Sequence, residues 1–201
     1  AWRISQEPFM QDIKAISNFK LRISYGTSGN QAIDAYETLA RLANRNLYFG
    51  GQYYIGFEQD KLENKDLKWE TTSQFDIGFD LNLFNDRIQL VADYYQKKTT
   101  DLLMKVKLPT SSGFTSIVQN VGSIRNRGWE LQITSRNIDN VFKWTSTLTL
   151  SQNKTKVLDL GKDVDGNPIT YLESGSGGNW FPIMLGKSMR QLYGYEVTGV
   201  Y

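Results

Sequence analysis

The sequence predicts an all-β chain: an antiparallel up-and-down meander forming part of a large transmembrane β-barrel, with long extracellular loops. Three observations carry this. Two long arms flanking Asn85-Asp86 alternate apolar and polar residues with period 2. Tight turns and long connections alternate along the chain, so that every long connection follows a strand of the same direction. Aromatic residues (Trp69, Phe84, Trp129, Phe142 and Trp144) sit near strand ends, as the girdles of a membrane barrel do.

The arms around Asn85-Asp86 set the register. On the first, Phe75, Ile77, Phe79, Leu81 and Leu83 share one face, and Gln74, Asp76, Gly78, Asp80 and Asn82 share the other. Asn and Asp tolerate the positive φ of a two-residue hairpin turn. Pairing Phe84 with Arg87 sets Leu83 against Ile88, Leu81 against Leu90, Phe79 against Ala92 and Ile77 against Tyr94, while Gly78 meets Asp93 and Asp76 meets Tyr95. A slip of one residue would scatter the apolar set over both faces. The apolar run Phe75–Leu83 is nine residues, against about 9–11 for a tilted bilayer-crossing strand and about 5–6 for an ordinary strand. A soluble sandwich alternates in the same way, so alternation alone leaves both classes open.

Earlier in the chain, Ala1–Ser5 reads as a strand tail and Gln6–Asn18 as a polar stretch with a helical turn around Phe9, Ile13 and Ile16. Phe19, Leu21, Ile23 and Tyr25 make a strand that Gly26–Asn30 ends. In the connection 31–68, Tyr36–Ala43 has the spacing of a short helix, and the aromatic, Gly-rich Asn46–Phe57 that of an extra hairpin. A second long loop covers 104–118. Trp129, Leu131 and Ile133 then form a strand that turns through Ile138–Val141 into Phe142, Trp144, Ser146, Leu148 and Leu150. Pairing Asn137 with Phe142 puts Leu131 opposite Leu148 and Trp129 opposite Leu150. Residues 154–190 read as a third long loop, and Leu192–Tyr201 as a last strand with Tyr193, Tyr195, Val197 and Tyr201 on one face.

Composition removes several function classes. The net charge of +2, with scattered basic residues, gives no footprint for nucleic acid. No apolar run reaches the ~18 residues of a membrane-spanning helix. With neither histidine nor cysteine, the chain lacks the commonest general base, thiolate chemistry and disulfides. Its ends at Ala-Trp-Arg-Ile and Gly-Val-Tyr both look like strand interiors, which predicts a piece of a longer protein.

Motifs that resemble sites fail on spacing. Asp163-Val-Asp165-Gly166-Asn167-Pro168 starts like a calcium loop, but the sixth and twelfth positions hold Pro168 and Ser174. A turn at Asp165-Gly166 is expected instead. Gly186-Lys187-Ser188 lacks the Gly of a phosphate loop, because Phe181 stands there. Gly175-Ser-Gly177-Gly178 has Trp180 in place of the third fingerprint Gly. Asp76, Asp80, Asp93 and Glu130 fall on polar strand faces; paired carboxylates serve glycosidases, but a wet barrel wall is expected here. Catalytic residues, cofactors and metals are therefore not expected. Phe49, Tyr53, Tyr54, Trp180 and Phe181, in the long loops, are the candidate contacts for a ligand or partner.

In their order along the chain, AWRISQEPFM (1–10), LRISYGTSGNQAI (21–33), NKDLKWETTSQFDIGFDLNLFNDRI (64–88), DYYQKKTTDLLMKVKLPTSSGFTSIVQNVGSIRNRGWELQI (93–133), FKWTSTLTLSQNKTKVLDL (142–160) and LYGYEVTGVY (192–201) resemble the barrel of SusC-like TonB-dependent outer-membrane transporters. Lys65 stands where that family often has Pro, and Arg127-Gly128 where it often has Lys-Gly. The loops 34–63 and 161–189 match no part of the family pattern. The resemblance implies a bacterial outer-membrane barrel of about 22 strands with a plugged lumen, of which residues 1–201 supply roughly six and the plug lies upstream. It further implies active import of oligosaccharides or peptides with TonB-derived energy, beneath a SusD-like surface lipoprotein, with outer-membrane lipid around the wall. The alternative is a soluble all-β carbohydrate-binding module; a glycoside hydrolase is a third reading.

Overall fold

A computed structural model of the chain describes residues 1–31, 33, 35–163, 166–172, 181–189, 191–192 and 198–199. The strands are β1 (Trp2–Arg3), β2 (Ile16–Asn30), β3 (Arg41–Phe49), β4 (Gln52–Lys61), β5 (Glu70–Leu83), β6 (Ile88–Thr100), β7 (Leu103–Lys107), β8 (Ser116–Asn120), β9 (Ser123–Asp139), β10 (Lys143–Asp159), β11 (Tyr171–Leu172) and β12 (Ile183–Met184). Among the described residues, six strands form one sheet in the order β1-β2-β5-β6-β9-β10, and every neighbouring pair in it is antiparallel. The remaining strands pair among themselves as β3-β4, β7-β8 and β11-β12. The β3–β4 and β7–β8 ribbons are inserted into the connections from β2 to β5 and from β6 to β9, β11–β12 follows β10, and all three segments leave the same end of the sheet. The other end carries the tight turns.

This sheet is a wall with two unlike faces. Pairing across β2, β5, β6, β9 and β10 lines up Phe19–Leu81–Leu90–Ile133–Leu148, Leu21–Phe79–Ala92–Leu131–Leu150 and Ile23–Ile77–Tyr94–Trp129–Gln152. The rings of Phe19 and Phe79 meet edge-on, with centroids 6.2 Å apart. On the opposite face the rows read Lys20–Asp80–Val91–Gln132–Thr149, Arg22–Gly78–Asp93–Glu130–Ser151 and Ser24–Asp76–Tyr95–Gly128–Asn153. From Phe75 to Leu83 the apolar band runs nine residues, ~26 Å along the strand, against about 9–11 residues for a tilted bilayer-crossing strand. Among the described residues the buried apolar side chains are only Val157 and Leu160, at 1% and 3% exposure, and Pro182. A soluble domain of this length would bury roughly 70% of its unfolded surface around a core, which disfavours the soluble module.

The first hairpin has the expected register at every predicted pair from Leu83–Ile88 to Asp76–Tyr95, while Phe84 and Arg87 lie in the turn, the Arg87 amide donating to the Phe84 carbonyl at 3.3 Å. Its turn is wider than two residues, because Phe84 joins Asn85 and Asp86 in the left-handed region with φ of 54°, 55° and 63°. Phe84 is held there because its amide donates to the Ala15 carbonyl (2.9 Å) rather than to the ladder. Asn82 Nδ2 donates to Asp86 Oδ1 at 2.7 Å and locks the turn.

Other expectations are corrected. In the second hairpin Leu131 faces Leu150, Ile133 faces Leu148 and Trp129 faces Gln152, two residues from the expected register. Asn137 is bulged out between Arg136 and Ile138, and the turn begins only after Asp139. The shift is even, so it preserves the faces, which is why the pattern could not detect it. β2 runs through Gly26 to Asn30 instead of ending at Gly26, because Gly26 pairs with Gln74 and Asn30 with Glu70. The helix expected over Tyr36–Ala43 is absent: Tyr36 has φ 66°, its carbonyl closes a turn on Leu39, and β3 starts at Arg41. The loop expected over 104–118 is mostly the β7–β8 ribbon, turned around Pro109 and Gly113. β10 continues to Asp159, shortening the third loop. The expected β3–β4 hairpin is present, turned by Gly50 and Gly51 at φ 61° and 82°. Tyr193, Tyr195, Val197 and Tyr201 of the expected last strand lie outside the described residues.

Candidate functional site

Two regions have the chemistry of a site: the polar face of the wall, and the ribbons at the end with the long connections. On the polar face Arg22 is the hub. Its Nη2 lies 2.9 Å from Asp80 Oδ1 and 2.9 Å from Asp93 Oδ1, and its Nε donates to Asp80 at 3.1 Å. Lys20 Nζ approaches Asp80 Oδ2 at 3.7 Å. Ser24 and Gln74 both donate to the Asp76 carboxylate, at 3.2 and 3.0 Å. A cavity of ≈ 480 Å³ opens among Arg22, Asp76, Asp93, Tyr95, Lys97 and Glu130. Two glycines make room. A Cβ on Gly78 would lie 2.0 Å from Asp93 Oδ1, and one on Gly128 would lie 2.8 Å from Tyr95 Oη and 2.6 Å from the Gln152 carbonyl. The side chain opposite each glycine, Asp93 or Tyr95, therefore lies over it. Asp80 and Asp93 share one guanidinium, so they form a neutralised wall network rather than an acid and a base poised apart.

At the other region, Asn120 is the clasp. Its Nδ2 donates to the Lys68 carbonyl at 2.6 Å and to the Asp101 carbonyl at 2.9 Å, while its Oδ1 accepts the Lys68 amide at 2.7 Å. Asn64 Nδ2 donates to the Val118 carbonyl at 2.8 Å, and Lys68 Nζ pairs with Asp101 at 2.9 Å. Glu70 Oε1 accepts the Leu103 amide at 2.9 Å. The segment 64–70 is thus tied to the β7–β8 ribbon side chain to main chain. Sequence reasoning missed this tie; its signal was the presence of both NKDLKWE and VQNVG in the chain, two Asn-bearing stretches far apart in sequence. Trp69, expected in a girdle, lies over Gly29, whose Cβ would come within 3.2 Å of the ring. It helps line a cavity of ≈ 770 Å³ with Ile33, Ala35, Leu67 and Lys68 at the root of the β3–β4 ribbon. Trp129 does lie at the edge of the apolar band, its Nε1 donating to Gln152 Oε1 at 3.0 Å.

The candidate contact residues are divided. Tyr53 pairs with Tyr48 at a centroid distance of 4.8 Å on one face of the β3–β4 ribbon. Phe49 and Tyr54 fall on the other face, Tyr54 opposite Leu47. All three are exposed, Phe49 and Tyr53 at about four-fifths (79% and 81%). Phe181 is a separate, half-exposed residue leading into β12, and Trp180 lies outside the described residues. Arg45 on the ribbon bonds Glu58, and this hydrogen bond and charge hold its guanidinium pKa above the ordinary value. At the loop that resembles a calcium site, Asp163 Oδ1 accepts the Asn167 amide at 2.8 Å and Gly166 has φ 83°, a closed turn; Val164, Asp165, Glu173 and Ser174 lie outside the described residues. Gly186-Lys187-Ser188 forms a turn in which the Lys187 amide donates to Met184 at 3.2 Å.

Comparison with known proteins agrees with this geometry. The family model described as TonB dependent receptor-like, beta-barrel matches residues 11–187. The chain is 42% identical to TonB-dependent receptor P26 of Formosa agariphila, over all of this chain and 20% of that receptor. It is 34% identical to TonB-dependent receptor SusC of Bacteroides thetaiotaomicron, over 87% of this chain and 18% of that protein. A chain in the solved structure of the RagAB peptide transporter superposes with a TM-score of 0.77 at 28% identity, over 92% of this chain and 20% of that one. The chain therefore spans about a fifth of the length of the relatives it matches. On the family match and these identities, it belongs to the TonB-dependent receptor-like β-barrel family.

Proposed function

We propose that residues 1–201 are part of the barrel domain of an outer-membrane active importer, supplying wall strands and outer ribbons to a protein driven through TonB. The observation that carries this is the two-faced wall: an apolar band across five strands, with the Arg22–Asp80–Asp93 network on its back. The apolar face meets lipid and the charged face lines the lumen or the plug. The chain does no covalent chemistry in this reading. The cargo is an oligosaccharide or peptide, in keeping with the similarity to SusC and to a chain of the RagAB peptide transporter, and a SusD-like lipoprotein sits over the ribbons. Phe49, Tyr53 and Tyr54, together with Trp180 and Phe181, are the contacts for cargo or lipoprotein.

The test uses the full-length receptor in its native host. Changing Phe49, Tyr53 and Tyr54 together to Ser should leave the barrel in the membrane at normal abundance and reduce TonB-dependent uptake or co-purification of the lipoprotein. Normal uptake with normal co-purification would overturn the contact assignment. Uptake that persists without TonB would overturn the transport reading itself.

A further inference from the structure

The lipid-facing side of the wall carries charge where the apolar band ends. Beyond the row Ile23–Ile77–Tyr94–Trp129–Gln152, toward the ribbons, the next row on the same face is Tyr25–Phe75–Gln96–Arg127–Lys154 and the one after it is Thr27–Ser73–Lys98–Arg125–Lys156. Five cations on three adjoining strands thus share two rows, ~4.8 Å apart across strands and ~6.6 Å apart along them. Lys98, Arg127, Lys154 and Lys156 are exposed and Arg125 is half-buried. On the polar face Lys20 and Arg22 are paired with Asp80 and Asp93, and Lys97 shares a cavity with Asp76, Asp93 and Glu130. By contrast, among the described residues none of these five side chains has a carboxylate or hydrogen-bonding partner. Asp159, one row further on, accepts the Gly161 amide at 3.1 Å. Where the cations meet the apolar band, a depression of ≈ 310 Å³ is lined by Tyr94, Trp129 and Gln152 below and by Arg127 and Lys154 above.

Like charges crowded on one face repel one another unless a counter-charge is supplied. The patch lies just past the band, at the ribbon end, which is the headgroup level of the outer leaflet if the ribbons face outward. We propose that this patch binds the phosphate of a phosphorylated glycolipid of the outer leaflet. The phosphate lies between Arg127, Lys154 and the row of Lys98, Arg125 and Lys156. The sugar rests on Trp129 and Tyr94, and the acyl chains run down the apolar rows. Guanidinium and ammonium groups give charge-assisted hydrogen bonds to phosphate oxygens, and aromatic rings favour the interfacial level. The proposal rests on the outer-membrane orientation given above.

The experiment measures thermal unfolding of the purified full-length receptor in detergent as lipid A is titrated in, using bisphosphorylated lipid A, its dephosphorylated form and inorganic phosphate. The bisphosphorylated form should raise the unfolding temperature of the parent. The Arg127→Gln/Lys154→Gln variant should lose apparent affinity on the order of 30-fold, about fivefold for each cation removed. Lys143→Gln, which removes one cation at the opposite rim, should not change it. An equal rise with the dephosphorylated lipid, an equal rise with inorganic phosphate, or unchanged affinity in the double variant would each overturn the proposal. Heat-modifiable gel mobility and uptake by the same variants report barrel folding and transport separately, so failure here is distinguishable from failure of the transport reading.

Discussion

The wall and the β3–β4 ribbon are both antiparallel and both alternate with period 2, yet they present opposite answers to solvent. In the wall one face is apolar and the other carries Lys20, Arg22, Asp80, Asp93 and Glu130. In the ribbon both faces carry large exposed apolar side chains among polar ones: Leu47, Phe49 and Tyr54 on one, Tyr48, Tyr53, Ile55 and Phe57 on the other. In the function proposed above the wall faces two bulk media, lipid and water, and each selects its own residues. The ribbon lies in a connection at the end of the sheet, and in the function proposed above its exposed apolar side chains meet cargo or another protein, as large exposed apolar patches do at interaction sites.

Substitution within the wall should break this contrast most strongly. Leu131 and Gln132 are neighbours in β9 on opposite faces. Leu131→Lys puts a charge in the middle of the apolar band and should cost about 2–4 kcal/mol, read as loss of heat-modifiable, folded receptor in the membrane. Gln132→Lys should leave folding near normal. Equal losses would mean that the two faces see the same medium.

Gly128→Ala is expected to have an intermediate effect. Its Cβ would meet a backbone carbonyl, Gln152 O, at 2.6 Å, and only movement of β10 relieves that contact. A cost of about 1–3 kcal/mol is expected, measured as a lower unfolding temperature of the detergent-solubilised receptor. An unchanged temperature would show that the strand yields freely. Arg22→Ala should do less. The Arg22 side chain is 36% exposed, and solvent-screened pairs contribute about 1 kcal/mol or less. A double-mutant cycle with Asp93→Ala should return a coupling energy in that range, and zero coupling would remove Arg22 as the hub.

The same contrast explains what was legible in the sequence. The first hairpin could be read pair by pair because its turn and its alternation agree, and an error of one residue would have shown. The second could not: the later turn after Asp139 and the one-residue bulge at Asn137 together move the register by two, and the apolar face looks identical either way. Gly26–Asn30 has the composition of a turn, but its backbone is held by pairing to β5, which no local signal reports. Likewise the β7–β8 ribbon hides in a stretch with Pro109 and Gly113, and the Asn120 clasp joins segments some fifty residues apart (|i−j| of 52). Of the contact residues, the aromatic tip of β3–β4 was legible from composition. Its division between two faces depends on the pairing of Tyr48 with Tyr53, fixed by the turn at Gly50-Gly51.

The central claim is that alternate residues of the wall face lipid and water. A lipid-soluble photo-crosslinker applied to membranes carrying the full-length receptor, with a single probe in turn at Leu131, Gln132 and Ile133, tests it most directly. Labelling at Leu131 and Ile133 with Gln132 spared is the expected result. Equal labelling of all three, or labelling of Gln132 alone, would contradict the two-faced wall and the transport reading built on it.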